Sequence, residues 1–133
     1  MTTVYAREDF LAADEYIDVV RKSGLARPID DRLRVERLLK HSNLIVTARQ
    51  GAKLVGFARS LTDFCWCCYL SDLAVDPACQ GQGIGKRLIA ETRKEAGGEI
   101  TTTLLLSAPT AMTFYQGMQM PQLDNCFAYR RAK

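Results

Sequence analysis

The feature that most constrains this chain is the stretch 72–86, where an apolar strand, a proline and three alternate glycines lead directly into a helix. The segment reads Asp-Leu-Ala-Val-Asp-Pro-Ala-Cys-Gln-Gly-Gln-Gly-Ile-Gly-Lys. The N–H groups in the first turn of a helix have no partner within the helix, and the helix dipole is positive at that end. A strand–glycine–helix connection of this kind therefore predicts a phosphate-binding turn.

The spacing of the glycines excludes two common nucleotide-binding motifs. A Rossmann fingerprint starting at Gly81 would need glycine at the position of Lys86. A Walker A loop ending in Gly85-Lys86 would need glycine in place of Gln80 and serine or threonine in place of Arg87. The phosphate ligand is therefore expected to belong to another class.

The pattern that does fit is Gln80-x-x-Gly83-x-Gly85, which resembles the signature of the GNAT superfamily of N-acetyltransferases. The resemblance extends from Val55 to the C-terminus. Within the superfamily, the chain is similar to the small members of the plant and cyanobacterial serotonin N-acetyltransferase group. The blocks that carry the resemblance, besides the glycine loop, are Gly56–Arg59, Asp72–Val75, Leu104–Ala108 and Ala111–Met120.

The resemblance implies that acetyl-coenzyme A is the cosubstrate and that the glycine loop holds its pyrophosphate. The residues assigned to the loop are Gln80, Gly81, Gln82, Gly83, Ile84, Gly85 and Lys86. The pantetheine amides are expected to pair with the strand edge at Leu73, Ala74 and Val75, as an added strand would.

Acetyl transfer by direct attack requires a neutral amine and a proton for the leaving thiolate. The resemblance places Tyr115 where the family's tyrosine protonates the sulfur, and Phe114 beside it is expected to make the core contact. Asp72 is the first candidate for the base, because an aspartate in an apolar strand is costly unless it is paired or used. A buried structural hydrogen bond is the alternative for Asp72. Asp63 is the second candidate and could equally be a turn residue.

Two departures from the family pattern leave the function open at this stage. Ala108 stands where members often have asparagine or aspartate, so a cofactor contact is missing or is replaced by Ser107. Met118-Gln119-Met120 replaces the usual Leu-Gly-Phe. An enzyme that acetylates a small or peptide amine and a coenzyme A-binding sensor without turnover are both compatible with these residues.

Length, charge and hydrophobicity limit the number of domains, the kinds of partner and the location that can be expected. The length of 133 residues predicts one domain covering residues 1–133. A net charge of +3 without a basic tract interleaved with aromatics argues against nucleic acid as a partner. No apolar run is long enough to span a membrane and no signal peptide is visible, so we expect a cytoplasmic protein with no membrane partner. A homodimer is left open.

The five cysteines and single histidine do not predict a metal site. Cys65, Cys67 and Cys68 lack the paired spacing and the histidines that zinc sites show. We expect these cysteines to be free thiols that pack as small apolar residues. His41 is expected at a helix C-terminus. The acceptor pocket is expected to form from Gly24–Asp31, Trp66 and the turn near Asp124.

The pattern of apolar residues predicts a mixed α/β fold with the order βααβββαβαβ, which is that of the GNAT fold. The first helix is predicted from Phe10, Ala13, Ile17 and Val20 at helical spacing. Leu104-Leu105-Leu106 predicts a strand buried on both faces. A final strand is predicted over residues 126–131.

Overall fold

The computed structural model describes all 133 residues, and a five-stranded sheet in the order β1-β2-β3-β4-β5 forms its centre. The strands are β1 (Thr3–Arg7), β2 (Leu44–Gln50), β3 (Lys53–Thr62), β4 (Cys67–Val75) and β5 (Thr102–Leu104). The helices are α1 (Ala13–Ser23), α2 (Arg32–Lys40), α3 (Ile84–Glu95) and α4 (Met112–Gly117). Neighbouring strands are antiparallel except for β4 and β5, which are parallel because α3 crosses between them.

Helices cover both faces of the sheet. On one face α3 buries Ile84, Leu88 and Ile89 against β2, β3 and β4. On the other face α1 and α2 bury Tyr16, Val19, Val20 and Val35 against the remaining side chains of the same strands. Burying an aliphatic or aromatic side chain of this size contributes about 1.5–3 kcal/mol. β2 and β3 therefore have few exposed side chains, because alternate residues face different helices.

The predicted helices are confirmed, with corrections at their ends. Asp31 caps α2 by accepting from the backbone N–H of Arg34. His41 is the C-terminal cap residue, as expected. The prediction for Phe10 is wrong, because Phe10 precedes α1 and is 77% exposed. Tyr16 takes the central buried position of α1 instead.

A bulge in β4 opens the sheet. The register between β3 and β4 passes from Arg59–Asp72 to Ser60–Leu70, so Ser71 has no partner on β3. A bulge bends its strand and increases the local twist. The pairing of β4 with β5 also ends here, at Tyr69 and Leu104. The edge of β4 that faces β5 is consequently unpaired from Leu70 to Val75.

The end of the chain differs from the prediction. β5 has only three residues, and Leu104 and Leu106 are 39% and 47% exposed, so this strand is not buried on both faces. No helix or strand covers its outer side. The strand predicted over residues 126–131 does not form, and these residues are exposed. A three-residue β5 offers too short an edge to pair a further strand of that length.

Candidate functional site

The glycine loop presents a row of free backbone donors. The N–H groups of residues 81–86 have no backbone acceptor, and the first helical bond of α3 runs from Arg87 N–H to Gly83 C=O at 3.0 Å. Gly81 and Gly83 have φ angles of 83° and 76°, a left-handed conformation that favours glycine. These donors at a helix N-terminus suit an anion, as the sequence predicts.

Gln80 and Gly85 make contacts of their own within the protein. The N–H group of Gln80 already donates to the carbonyl oxygen of Pro77, so it is not among the free donors. A Cβ on Gly85 would lie 3.0 Å from Cζ of Phe114. Glycine at this position therefore allows close packing of α4 against the start of α3.

Two cationic side chains lie beside the loop, and only one of them has a partner within the protein. Arg87 lies over the ring of Tyr5, with 4.7 Å between guanidinium carbon and ring centroid, and bonds Glu91 at 2.9 Å. Lys86 is exposed and has no acidic partner within 4.0 Å. Lys86 is thus the cation of the loop that remains available to a ligand.

A cavity of about 1370 Å³ lies between the separated ends of β4 and β5 and the segment that joins α1 to α2. Leu73, Ser107 and Tyr115 line it, as do Leu25–Pro28 from the predicted acceptor segment. Trp66 is 77% exposed and lines neither of the two main cavities. The turn near Asp124 lies at the second cavity, where Leu123 and Asn125 are part of the lining.

The three predicted residues of the β4 edge face different surroundings. Leu73 is half-buried and points to the cavity, while Ala74 is buried on the α1 face. Val75 is half-buried against the α3 core. Their backbone groups on the β5 side belong to the unpaired edge. Such an edge is what the predicted pairing with the pantetheine amides requires.

Tyr115 is half-buried and lines both main cavities. Burial raises the pKa of its hydroxyl above the ordinary value, and the charge of Arg27 opposes that shift in pKa. Tyr115 therefore keeps its proton at neutral pH. Phe114 is 40% exposed and packs on Gly85, so the expected core contact of Phe114 is wrong and Tyr115 is the more buried of the two.

Asp72 lies at the centre of a buried polar cluster. Its Oδ2 accepts from the Tyr16 hydroxyl at 2.7 Å and from Arg59 Nε at 2.6 Å, and its Oδ1 accepts from Arg27 Nε at 2.5 Å. Asp72 is fully buried and Arg59 is 7% exposed. The carboxylate therefore joins α1, the α1–α2 segment and β3 at one point.

These contacts give Asp72 the surroundings of a structural anchor. Burial raises the pKa of its carboxyl, but the hydrogen bond and charge of Arg59, together with Arg27 and Tyr16, outweigh burial and hold the pKa below its ordinary value. A base needs a free lone pair and a pKa near the working pH. The geometry thus favours the buried structural bond over the catalytic role.

Asp63 occupies the turn between β3 and β4. Its carboxylate accepts from the backbone N–H groups of Cys65, Trp66 and Cys67 at 2.8–3.1 Å, and these bonds lower the pKa of Asp63 to about 2. Asp63 lines neither main cavity. The contacts of Asp63 are therefore those of a turn residue, which is one of the two alternatives that the sequence left open.

The hydroxyl of Ser107 donates to the carbonyl oxygen of Ala108 at 2.8 Å. Ser107 lines both cavities. Its side chain therefore lies where it could replace the cofactor contact that Ala108 cannot make. Its present partner is within its own loop.

All five cysteines are free thiols. Cys68 and Cys79 are buried, as expected for small apolar residues, but Cys65 in the β3–β4 turn and Cys67 at the start of β4 are exposed. The expectation of buried cysteines is wrong for these two, because Cys65 lies in the turn and Cys67 lies on the exposed face at the start of β4.

Sequence reasoning missed three residues that define the site: Tyr16, Arg27 and Arg59. Arg59 belongs to the apolar strand block Gly56–Arg59, and Asp72 belongs to the apolar strand block Asp72–Val75. A buried charge needs a partner of opposite sign. These two charges in neighbouring strands were therefore the signal that could have predicted the pair.

Comparison with known proteins agrees with this architecture. The family described as the acetyltransferase (GNAT) domain matches residues 18–119. The chain therefore belongs to the GNAT family of acetyltransferases. No helix of the structure combines the length and the apolar composition that crossing a bilayer requires.

Individual relatives show how far the likeness extends. Serotonin N-acetyltransferase 2, chloroplastic, from Oryza sativa subsp. japonica is 30% identical over 107 residues, which are 74% of this chain and 51% of the rice protein. A GNAT-family acetyltransferase structure from Streptococcus pneumoniae superposes with a TM-score of 0.79 at 21% identity, covering 99% of this chain and 98% of that one. The aminoglycoside N-acetyltransferase AAC(6')-Iy, solved in complex with CoA, gives 0.73 at 16% identity, with 99% and 96% covered. The chain spans about half the length of the curated relatives it matches.

Proposed function

We propose that this chain binds acetyl-coenzyme A and transfers the acetyl group directly to a primary amine. The observation that carries the proposal is the row of free N–H groups at residues 81–86 beside the open edge of β4 and the hydroxyl of Tyr115. Membership in the GNAT family supports the same reaction class. The CoA complex of the structural relative supports the same cosubstrate.

The cosubstrate side of the proposal rests on backbone groups. The pyrophosphate accepts hydrogen bonds from the N–H groups of Gly81 to Lys86, each worth about 1.5–3 kcal/mol when the acceptor is charged. Lys86 adds a positive charge. The pantetheine amides pair with the edge of β4 from Leu70 to Val75, as an added strand does.

The transfer step needs few protein groups. The neutral amine attacks the thioester carbonyl, so that a C–N bond forms and the C–S bond breaks. The leaving thiolate takes a proton from Tyr115, whose raised pKa keeps the hydroxyl protonated until that moment, and solvent then returns a proton to the tyrosinate. The proton of the attacking amine is released to solvent in the open cavity, because both carboxylate oxygens of Asp72 are engaged by Tyr16 and the two arginines.

The test is release of free CoA thiol from acetyl-CoA in the presence of a panel of primary amines that includes serotonin, the amine in the rice relative's name. We expect amine-dependent release and a higher melting temperature with CoA than with NAD or ATP. At a hundredfold excess over the dissociation constant, ligand linkage adds about 2.7 kcal/mol. Equal stabilisation by NAD would contradict the cosubstrate.

A CoA-binding regulatory module is the second candidate. The observation in its favour is Ala108 at the position where family members often carry asparagine or aspartate, with the Ser107 hydroxyl directed to the Ala108 carbonyl. Binding of CoA without thiol release for any amine would favour this candidate. A cytoplasmic location stays a prediction, and the rice relative is named as chloroplastic.

A further inference from the structure

The cavity next to Tyr115 is strongly cationic. Six arginines line it, namely Arg27, Arg34, Arg37, Arg59, Arg130 and Arg131, whereas Asp31 is the single acidic residue in its lining. The whole chain carries a net charge of only +3, so the positive charge is concentrated at this cavity. A concentration of one sign in a concave site raises the local concentration of ligands of the opposite sign.

The arginines of the cavity lack acidic partners more often than those elsewhere. Half of the twelve arginines make no ion pair, and four of these six line the cavity: Arg34, Arg37, Arg130 and Arg131. Arg34 donates to the backbone oxygen of Lys133 at 3.0 Å, which holds the end of the chain against α2. Arg27 and Arg59 share the one carboxylate of Asp72, so that pair also keeps a net positive charge.

The cosubstrate does not account for these charges. The residues that face its phosphates, Gly81 to Lys86, belong to the α3 N-terminus and do not line the cavity. Arg34 and Arg37 lie instead on α2, at the side of the cavity formed with the α1–α2 segment. The guanidinium group of Arg37 has no hydrogen-bond or ion-pair partner, and a free cation at that side suits a second anionic group, carried by the other substrate.

We propose that the acceptor is a small primary amine that also carries a carboxylate or phosphate group. The inference rests on the proposed acetyl transfer and specifies its second substrate. Guanidinium groups bind both anions through paired hydrogen bonds. The same positive charge disfavours protonation of a bound amine, which leaves more of it in the neutral form that attacks the thioester. Polycationic acceptors are repelled.

The first experiment compares acceptors that differ only in the anionic group. The pairs are glycine with glycinamide and phosphoethanolamine with ethanolamine, and spermidine represents polycations. The readout is kcat/KM for CoA thiol release, calculated for the neutral form of each amine. We expect the anionic member of at least one pair to exceed its neutral partner by about tenfold or more, the effect of one hydrogen bond to a charged group. The pair that responds distinguishes carboxylate from phosphate.

The second experiment changes the cavity. Arg37→Gln should raise KM for the anionic acceptor about tenfold, with little change in kcat and no change in CoA affinity. Arg93→Gln removes an arginine of α3 that is exposed and outside the cavity, and should leave KM unchanged. Both substitutions keep a good helix former, so folding should persist. Raising NaCl from about 50 mM to about 500 mM should increase KM for the anionic acceptor and not for its neutral partner.

The outcomes separate the inference from the function on which it rests. Turnover that favours glycinamide, ethanolamine or spermidine over the anionic members overturns the inference and leaves the acetyl transfer standing. An unchanged KM for Arg37→Gln also overturns it. Absence of thiol release with every amine overturns the proposed acetyl transfer itself.

Discussion

Replacing Asp72 with asparagine removes the negative charge at the centre of the buried cluster while preserving the size of the side chain. Asparagine can still accept from the Tyr16 hydroxyl, but Arg59, which is 7% exposed, is left as a buried cation without a counter-ion. Removing one partner of a buried ion pair costs about 3–5 kcal/mol. That is a large part of the roughly 5–15 kcal/mol that stabilises a domain. The melting temperature should fall by about 10–20 °C.

The assay is urea denaturation of the wild type and of Asp72→Asn as a function of pH. The pKa of Asp72 in the folded protein lies below its unfolded value of about 3.9. A depressed pKa stabilises the fold above the unfolded value, and this contribution is lost as the pH falls further. The stability difference between the two proteins should therefore be full at neutral pH and shrink below about pH 4.

Two further variants make this test specific. Tyr16→Phe keeps both arginine contacts and should cost about 1 kcal/mol. Asp18→Asn breaks only an exposed pair with Lys22 and should leave the denaturation midpoint nearly unchanged. Unchanged stability of Asp72→Asn, with loss of kcat/KM confined to low pH, would refute the anchoring role and return Asp72 to the position of catalytic base.

Three other substitutions test the remaining parts of the site. Tyr115→Phe should lower kcat by about 10²–10⁴-fold while CoA affinity stays constant, and full activity would show that another group protonates the thiolate. Gly83→Ala should weaken CoA binding, measured by calorimetric titration, because alanine resists the φ angle of 76° by about 1–2 kcal/mol; unchanged affinity would separate the loop from the cosubstrate. Asp63→Asn should leave kcat/KM unchanged, because Asp63 lies outside both main cavities, and a pH-dependent loss of rate would make it the base.

The part of the fold that local pattern determines was predictable from the sequence. Ile84, Leu88 and Thr92 recur at helical spacing and are all buried on α3. The glycines after β4 predict the free donors that the structure presents. Such features depend on residues close together in the chain, so their spacing carries the information.

What the sequence did not reveal depends on contacts between distant residues. The bulge at Ser71 leaves no local pattern, yet it coincides with the end of the β4–β5 pairing and with the mouth of the cavity. Leu104 and Leu106 have the composition of a buried strand, but burial requires a covering element that the sequence pattern alone does not supply. The cationic cavity likewise forms only when α2, β3 and the end of the chain come together.

Binding of the pyrophosphate by the glycine loop can be measured by an amide ¹H–¹⁵N NMR titration with CoA and, separately, with pantetheine, which lacks the pyrophosphate. We predict that the amide signals of residues 81–86 shift strongly with CoA and little with pantetheine, because these free N–H groups bind the pyrophosphate. Signals from Leu70 to Val75 should shift with both ligands, because they report the pantetheine arm along the β4 edge. Equal shifts at 81–86 with CoA and pantetheine, or none with CoA, would contradict binding of the pyrophosphate by this loop.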